Sequence, residues 1–277
     1  MLYQEIAQGV SMPLLGFGTF LNTGDDCERS VAEAIRAGYR LIDTAEAYGN
    51  ERQVGKGIKA GGVDRQSLFL VTKVNFKSYA HARAAVENSL KQLDTDYLDL
   101  VLLHWPFADY YTAWRELEML HDEGKLRAIG VSNFGPDRLI DLIAYNRVKP
   151  AVNQLETHLY CQRQTEHAWE KKYGVAHMAY APLGQGRARE MFAEPVVRAL
   201  AEKYGKTPAQ ILLRRTIQDG ATVIPKPVHT ARITENIDVF DFELAGDEMS
   251  ALRSLDKATP MIGRPEAPEL VENAMKW

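Results

Sequence analysis

The chain has 277 residues, 45% hydrophobic and 25% charged, with a formal net charge of −4 and only two cysteines, Cys27 and Cys161. That composition provides a core for a soluble globular protein, gives no basic field for nucleic acid, and excludes a disulfide framework, which fits a reducing compartment. No run of 18 apolar residues is present to span a membrane, and the start "MLYQEIAQGV" lacks the basic and apolar regions of a signal peptide, so a soluble cytoplasmic protein is expected.

Taken in chain order, residues 2–10 are expected to form a short hairpin plugging the base of the fold. "MPLLGFGTF" (12–20) is the first apolar run, followed by "YRLIDTA" (39–45), "SLFLVTKV" (67–74) and "YLDLVLLHW" (97–105). "LRAIGVSNF" (126–134), "PAVNQLET" (150–157), "VAHMAYAPL" (175–183) and "ATVIPK" (221–226) complete a set of eight. They are nearly continuous rather than alternating, as parallel strands covered on both faces should be. Helical patterns lie between them. "AHARAAVENSLKQL" (80–93) sets Val86, Leu90 and Leu93 on one stripe, and "GPDRLIDLIAY" (135–145) opens with Pro136 and Asp137, residues suited to a first turn. Residues 194–217 read as two helices broken at Gly205, with Thr207 and Pro208 starting the second. Eight strand–helix units with no linker or composition shift predict one α/β domain over 1–277, and eight favour a closed (β/α)8 TIM barrel over an open sheet.

The active site of such a barrel lies at the carboxyl ends of its strands. The runs end in Asp43, Lys73, His104, Ser132 with Asn133, Gln154, Tyr180 and Lys226. Singly, each has a bland explanation: a helix cap, a solvated tip, a packed histidine. Together they place ionisable groups around one mouth, where charges are costly unless paired. Several short motifs fail on inspection. "GFGTFL" has Leu21 where a dinucleotide fingerprint needs its third glycine, and "GNERQVGKG" has Gly57 where a phosphate loop needs Ser or Thr. "GVSNF" carries Phe134 in place of the closing glycine of a nucleophile elbow. No paired Cys or His spacing suggests a metal.

Over nearly its whole length the chain resembles the aldo-keto reductases. The likeness rests on "LGFGT" (15–19), "DTAEAYGNE" (43–51), "TKV" (72–74), "LLHWP" (102–106), "EGKLRAIGVSNF" (123–134), "NQLETH" (153–158), "YAPLGQG" (180–186) and "VIPKPVHTARITENI" (223–237). The trimmed loop "PFADYYTAW" (106–114) and modest tail are closest in character to bacterial 2,5-diketo-D-gluconate and methylglyoxal reductases. The resemblance implies a catalytic tetrad of Asp43, Tyr48, Lys73 and His104. Tyr48 would protonate the carbonyl oxygen, with Lys73 lowering its pKa from the ordinary value of about 10. Asp43 would pair with Lys73, and His104 would orient the carbonyl. It further implies that Gly18 and Thr19 lie by the cofactor, that Ser132, Asn133 and Gln154 bond a nicotinamide carboxamide, and that Tyr180 stacks on its ring. Leu183, Gln185 and Gly186 would line the pyrophosphate, Lys226 and Arg232 the adenosine 2′-phosphate, and Glu235 and Asn236 the adenine. Phe20, Asn75 and Trp105 would wall a pocket open to small or polar carbonyls such as 2-oxoaldehydes or keto sugars.

NADPH is the cofactor expected, with NADH weaker. Pro227 stands where many relatives carry serine, which removes one phosphate contact worth about 1.5–3 kcal/mol. The expected partner is a small-molecule carbonyl, and the expected form a monomer. The alternatives from other classes are a cofactor-binding regulatory protein with little turnover, and a hydrolase built on Ser132.

Overall fold

The computed structural model describes residues 1–227 and 229–276. Strands β1 (Tyr3–Ala7) and β2 (Val10–Pro13) pair antiparallel, with Tyr3 opposite Pro13. The hairpin expected over 2–10 is therefore present and runs on to residue 13. Eight further strands follow: β3 (Phe17–Gly18), β4 (Leu41–Asp43), β5 (Phe69–Val74), β6 (Leu100–Leu103), β7 (Ile129–Ser132), β8 (Val152–Glu156), β9 (Ala176–Tyr180) and β10 (Thr222–Ile224). They lie side by side in chain order and every adjacent pair is parallel. The ends of this sheet meet: the amides of Gly16 and Gly18 donate to the carbonyls of Val223 and Pro225 at 2.8 and 3.0 Å. The result is the (β/α)8 barrel expected from eight repeated units.

The runs that read as continuously apolar divide by the period of two. Leu41, Val71, Leu102, Val152 and Met178 form an inner cluster with Ile6, Val10 and Met12 of the hairpin, which therefore plugs the barrel. Their neighbours Ile42, Leu70, Val101, Leu103 and Val131 belong to the outer cluster beneath the helices. Each helical pattern is also present. Ala82–Leu93 buries Val86, Leu90 and Leu93, and Pro136–Tyr145 starts on its proline. Pro195–Tyr204 and Pro208–Gln218 are separated at Gly205, and the second opens with a reciprocal capping box between Thr207 and Gln210.

The rejected phosphate-loop motif has a packing explanation. Gly55 and Gly57 lie in the helix Glu51–Gly61, which presses on the helix Gly24–Arg36. A Cβ on Gly57 would sit 2.7 Å from the Glu28 carbonyl oxygen and 2.7 Å from Val31 Cβ, closer than real contacts allow. Gly57→Ala is therefore expected to destabilise the fold by about 1–3 kcal/mol through overpacking, read as a lower urea midpoint with an unchanged slope.

Candidate active site

The same alternation that fills the barrel floor with apolar side chains delivers the polar ones to its mouth. Asp43 lies two residues beyond the inward Leu41, Lys73 two beyond Val71, His104 two beyond Leu102, Gln154 two beyond Val152 and Tyr180 two beyond Met178. Asp43 and Lys73 are almost fully buried, and the Lys73 ammonium donates to Asp43 Oδ1 at 2.6 Å and to the Thr44 carbonyl at 2.9 Å. Gln154 Nε2 donates to the other oxygen, Asp43 Oδ2, at 2.8 Å. A charge taken from water needs partners, and here the ammonium has two acceptors and each carboxylate oxygen a donor.

Tyr48 ends a short 3-10 turn, Glu46–Tyr48, that leads away from β4. Its ring centre lies 5.2 Å from the Lys73 ammonium, 5.9 Å from the His104 ring and 5.0 Å from the Phe20 ring. The loop beneath is tied by Asn50, whose Nδ2 donates to the carbonyls of Thr19 and Asn22, both at 2.9 Å, while Thr44 donates to its Oδ1 at 2.8 Å. Thr19 Oγ1 in turn donates to the Asp43 carbonyl at 3.0 Å. These bonds fix Asp43 and Tyr48 relative to each other.

Burial sets the protonation of the cluster. It pulls the Lys73 pKa down, against the charge and hydrogen bond of Asp43. It pushes the Tyr48 phenol well above its ordinary value, and Asp43 adds to that rise. The expectation that Lys73 lowers this pKa is thus not met: Asp43 cancels much of the lysine's field at short range, and desolvation prevails. Tyr48 is held as a neutral phenol. His104 is pulled down to about 3 by burial and by the Lys73 charge, so its imidazole is neutral at physiological pH.

Around this group, Ser132 Oγ donates to the Gln154 carbonyl at 2.9 Å and Asn133 Nδ2 to the His104 carbonyl at 3.1 Å. Tyr180 donates to Asn133 Oδ1 at 2.8 Å. Asn133 holds a left-handed backbone, φ 66°, that only a few side chains tolerate. Ser132, committed to a backbone carbonyl, is poorly placed as a nucleophile. The glycines of the 183–186 loop adopt φ of 66° (Gly184) and 90° (Gly186); Gly184 is buried, and Gln185 and Gly186 are exposed. Lys226 and Arg232 are both exposed, Glu235 accepts from Thr207 Oγ1 at 2.8 Å, and Asn236 is buried. Val228, within the same motif, lies outside the described residues. Asn133 with its amide, the Tyr180 ring, a glycine loop and two exposed cations are groups that could hold a molecule with a carboxamide ring at one end and phosphates at the other.

On the substrate side, Phe20 is exposed at the rim and Trp105 stacks between His104 and Phe107, with centroids at 6.1 and 5.4 Å. Asn75 is less free than expected of a pocket wall: its side chain accepts from the Lys77 amide at 3.2 Å and caps the helix Phe76–His81. Glu156 escaped the reading of strand ends, although it lies two residues beyond Gln154 on the same inward phase. It is fully buried and accepts from His158 Nε2 at 3.0 Å and from the amides of Met261 and Ile262 at 2.5 and 3.0 Å, anchoring the C-terminal tail. Burial raises its pKa, but these donors outweigh that and hold it below the usual range. A groove of about 630 Å³ bordered by Gln4, His167 and Arg215 contains none of these groups, so the reactive cluster assigns the site to the mouth.

The family model described as the aldo/keto reductase family matches residues 14–257. The chain is 42% identical over 255 residues to methylglyoxal reductase DkgA of Yersinia pestis, covering 91% of this chain and 92% of that one. It is 42% identical over 267 residues to morphine 6-dehydrogenase of Pseudomonas putida, covering 91% and 90%. Among solved structures, an aldo-keto reductase of Bombyx mori in complex with NADP matches with a TM-score of 0.90 at 33% identity, covering 98% and 97%.

Because His104 is neutral in the fold and protonates readily once unfolded, the unfolded chain binds the extra proton between pH of about 6.5 and about 3. Stability from this group is therefore lost as pH falls through that window, with a slope approaching 1.4 kcal/mol per pH unit, roughly one proton's worth. Urea melts at stepped pH should show His104→Gln less acid-sensitive than wild type by that slope.

Proposed function

The chain belongs to the aldo/keto reductase family, and on that premise we propose that it reduces small or polar carbonyls, such as 2-oxoaldehydes or keto sugars, to alcohols with NADPH. Membership makes it an NAD(P)H-dependent oxidoreductase. The observation that supports the finer reading is the buried Asp43–Lys73 pair, 2.6 Å apart, with Tyr48 and His104 above it.

Ser132, Asn133 and Gln154 would hold the carboxamide of the nicotinamide and Tyr180 its ring. Gly18 and Thr19 would lie by the cofactor, Leu183, Gln185 and Gly186 would border the pyrophosphate, Lys226 and Arg232 the 2′-phosphate, and Glu235 and Asn236 the adenine. When bound, the nicotinamide supplies a hydride to the carbonyl carbon. Tyr48 then donates its phenolic proton to the carbonyl oxygen as negative charge gathers there, which requires the neutral phenol that burial maintains. The Lys73 ammonium favours the phenolate left behind, and Asp43 and Gln154 keep that ammonium in place. His104 serves as a neutral donor that orients the carbonyl and stabilises its growing charge without giving up a proton. Phe20 and Trp105 form an aromatic rim, and Asn75 borders it at the cap of Phe76–His81. The short 106–114 loop leaves little to grip a large ligand. We place the protein in the cytoplasm as a monomeric, single barrel domain, and among the described residues no helix is long and apolar enough to cross a membrane.

With methylglyoxal as substrate, wild type should consume NADPH in preference to NADH, and Tyr48→Phe should lower kcat by roughly 100- to 10,000-fold. Tight NADPH binding with no turnover of any aldehyde would transfer the assignment to a cofactor-binding regulatory protein. For the phosphate contact, Arg232→Ala should raise the KM for NADPH about 10-fold or more, the equivalent of one charged hydrogen bond. The KM for NADH should stay within about twofold, because that cofactor lacks the phosphate; equal effects on both would remove Arg232 from the 2′-phosphate site.

A further inference from the structure

Tyr48 and His104 must converge on one carbonyl oxygen, yet they sit on separate loops beyond the last strand hydrogen bonds. The His104 amide makes the final ladder contact, to the Val74 carbonyl at 3.1 Å. Beyond that point, the six-residue 3-10 helix Phe76–His81 ties the two loops together by hydrogen bonds.

One end of this helix grips the Tyr48 turn. Glu46, two residues before Tyr48 in the same 3-10 turn, accepts from the Asn75 amide at 2.7 Å through one oxygen and from Ser78 Oγ at 2.6 Å through the other. The next residue grips the His104 loop. The Tyr79 phenol, almost fully buried, donates to the Trp105 carbonyl at 2.7 Å and accepts from the Trp105 amide at 3.1 Å. One oxygen thus clamps both backbone groups of the residue that follows His104. Phe76 adds an edge-on contact to Phe107, 5.7 Å between centroids, and Phe107 stacks on Trp105. A neutral phenol is needed to donate and accept at once, and burial keeps Tyr79 in that state.

We propose that Tyr79 and the Glu46–Ser78 pair are positioning residues that set the separation of Tyr48 and His104 across the carbonyl oxygen, with Phe76–His81 as the strut between them. The proposal rests on the reductase reading above. Neither residue type is dictated by the barrel itself: the strand ladders end before this helix begins, and the bonds in question join side chains to loops. Misplacement by about 1 Å is enough to cost roughly 100-fold in rate, so a strut at this point acts on kcat rather than on folding.

The test uses Tyr79→Phe, which keeps the ring and removes both hydrogen bonds, together with Ser78→Ala and Ser78→Thr. Steady-state methylglyoxal reduction, NADPH affinity by quenching of protein fluorescence, and Tm are measured on each. Tyr79→Phe is expected to lower kcat about 10-fold and Ser78→Ala about threefold, with NADPH affinity and carbonyl KM within about twofold of wild type. Ser78→Thr, which retains the hydroxyl, should restore most of the loss. The decisive comparison places Tyr79→Phe in a His104→Gln background, where the Tyr79 effect should largely vanish because it acts through His104. A kcat within twofold of wild type for Tyr79→Phe, full additivity with His104→Gln, or NADPH affinity falling in step with kcat would overturn the proposal. If Tyr79→Phe does not fold, the Ser78 variants decide it by the same criteria, with Tyr48→Phe as the background. A wild-type protein that turns over no carbonyl overturns the reductase reading and this proposal with it, whereas active wild type with unaffected variants overturns the strut alone.

Discussion

An ammonium and a carboxylate, 2.6 Å apart and nearly without solvent, sit above a barrel floor that is largely hydrocarbon. Removing either charge from water costs several kcal/mol, and leaving one unpaired costs more than the pair itself. Lys73 and Asp43 therefore constrain everything near them. The Thr44 carbonyl must face the ammonium, Gln154 must reach across from β8 to the second carboxylate oxygen, and Thr19 and Asn50 must hold the loop that follows Asp43. The polar layer is one network, and it exists because the pair has to be solvated by protein.

The same burial gives the neighbouring groups their chemistry. A phenol and an imidazole beside a lysine would titrate near their ordinary values in water. Here the phenol is held neutral far above that range and the imidazole neutral far below it. Two uncharged polar rings face a space bordered by Phe20 and Trp105. Aromatic walls keep the local dielectric low, which strengthens both donors toward charge that appears on a bound oxygen.

The barrel was legible because parallel strands covered on both faces must be apolar on both, and eight such runs recur with helices between them. Three of the four candidate residues were legible for a related reason: Asp43, Lys73 and His104 each interrupt an apolar run at the same end, where a charge has no place unless others meet it, whereas Tyr48 and the grouping as a tetrad came from the resemblance. The direction of the Tyr48 pKa was misread, because proximity to a lysine shows in a motif and the depth of burial does not. The contacts of Glu46 with Ser78, Tyr79 with Trp105 and Glu156 with the tail were not legible. They join positions 32, 26 and 105 residues apart with no periodicity behind them, and only the closed barrel brings their loops together. The cofactor positions came from resemblance rather than from residue chemistry, since exposed cations such as Lys226 and Arg232 look alike on any surface.

Glu156 holds the tail by its backbone. The carboxylate accepts from the amides of residues 261 and 262, not from their side chains, so any residue except proline preserves the anchor. The path of the tail past the mouth is thereby separated from its composition. Met261 rests against Gly184 in the glycine loop, where an added Cβ would lie only 3.1 Å from the methionine sulfur. The side chains of such a tail can change while its backbone stays in register with the polar layer at the mouth. A barrel built this way can change what it accepts without rebuilding how it reacts, and one ancestral mouth can give rise to enzymes for unlike molecules at small structural cost.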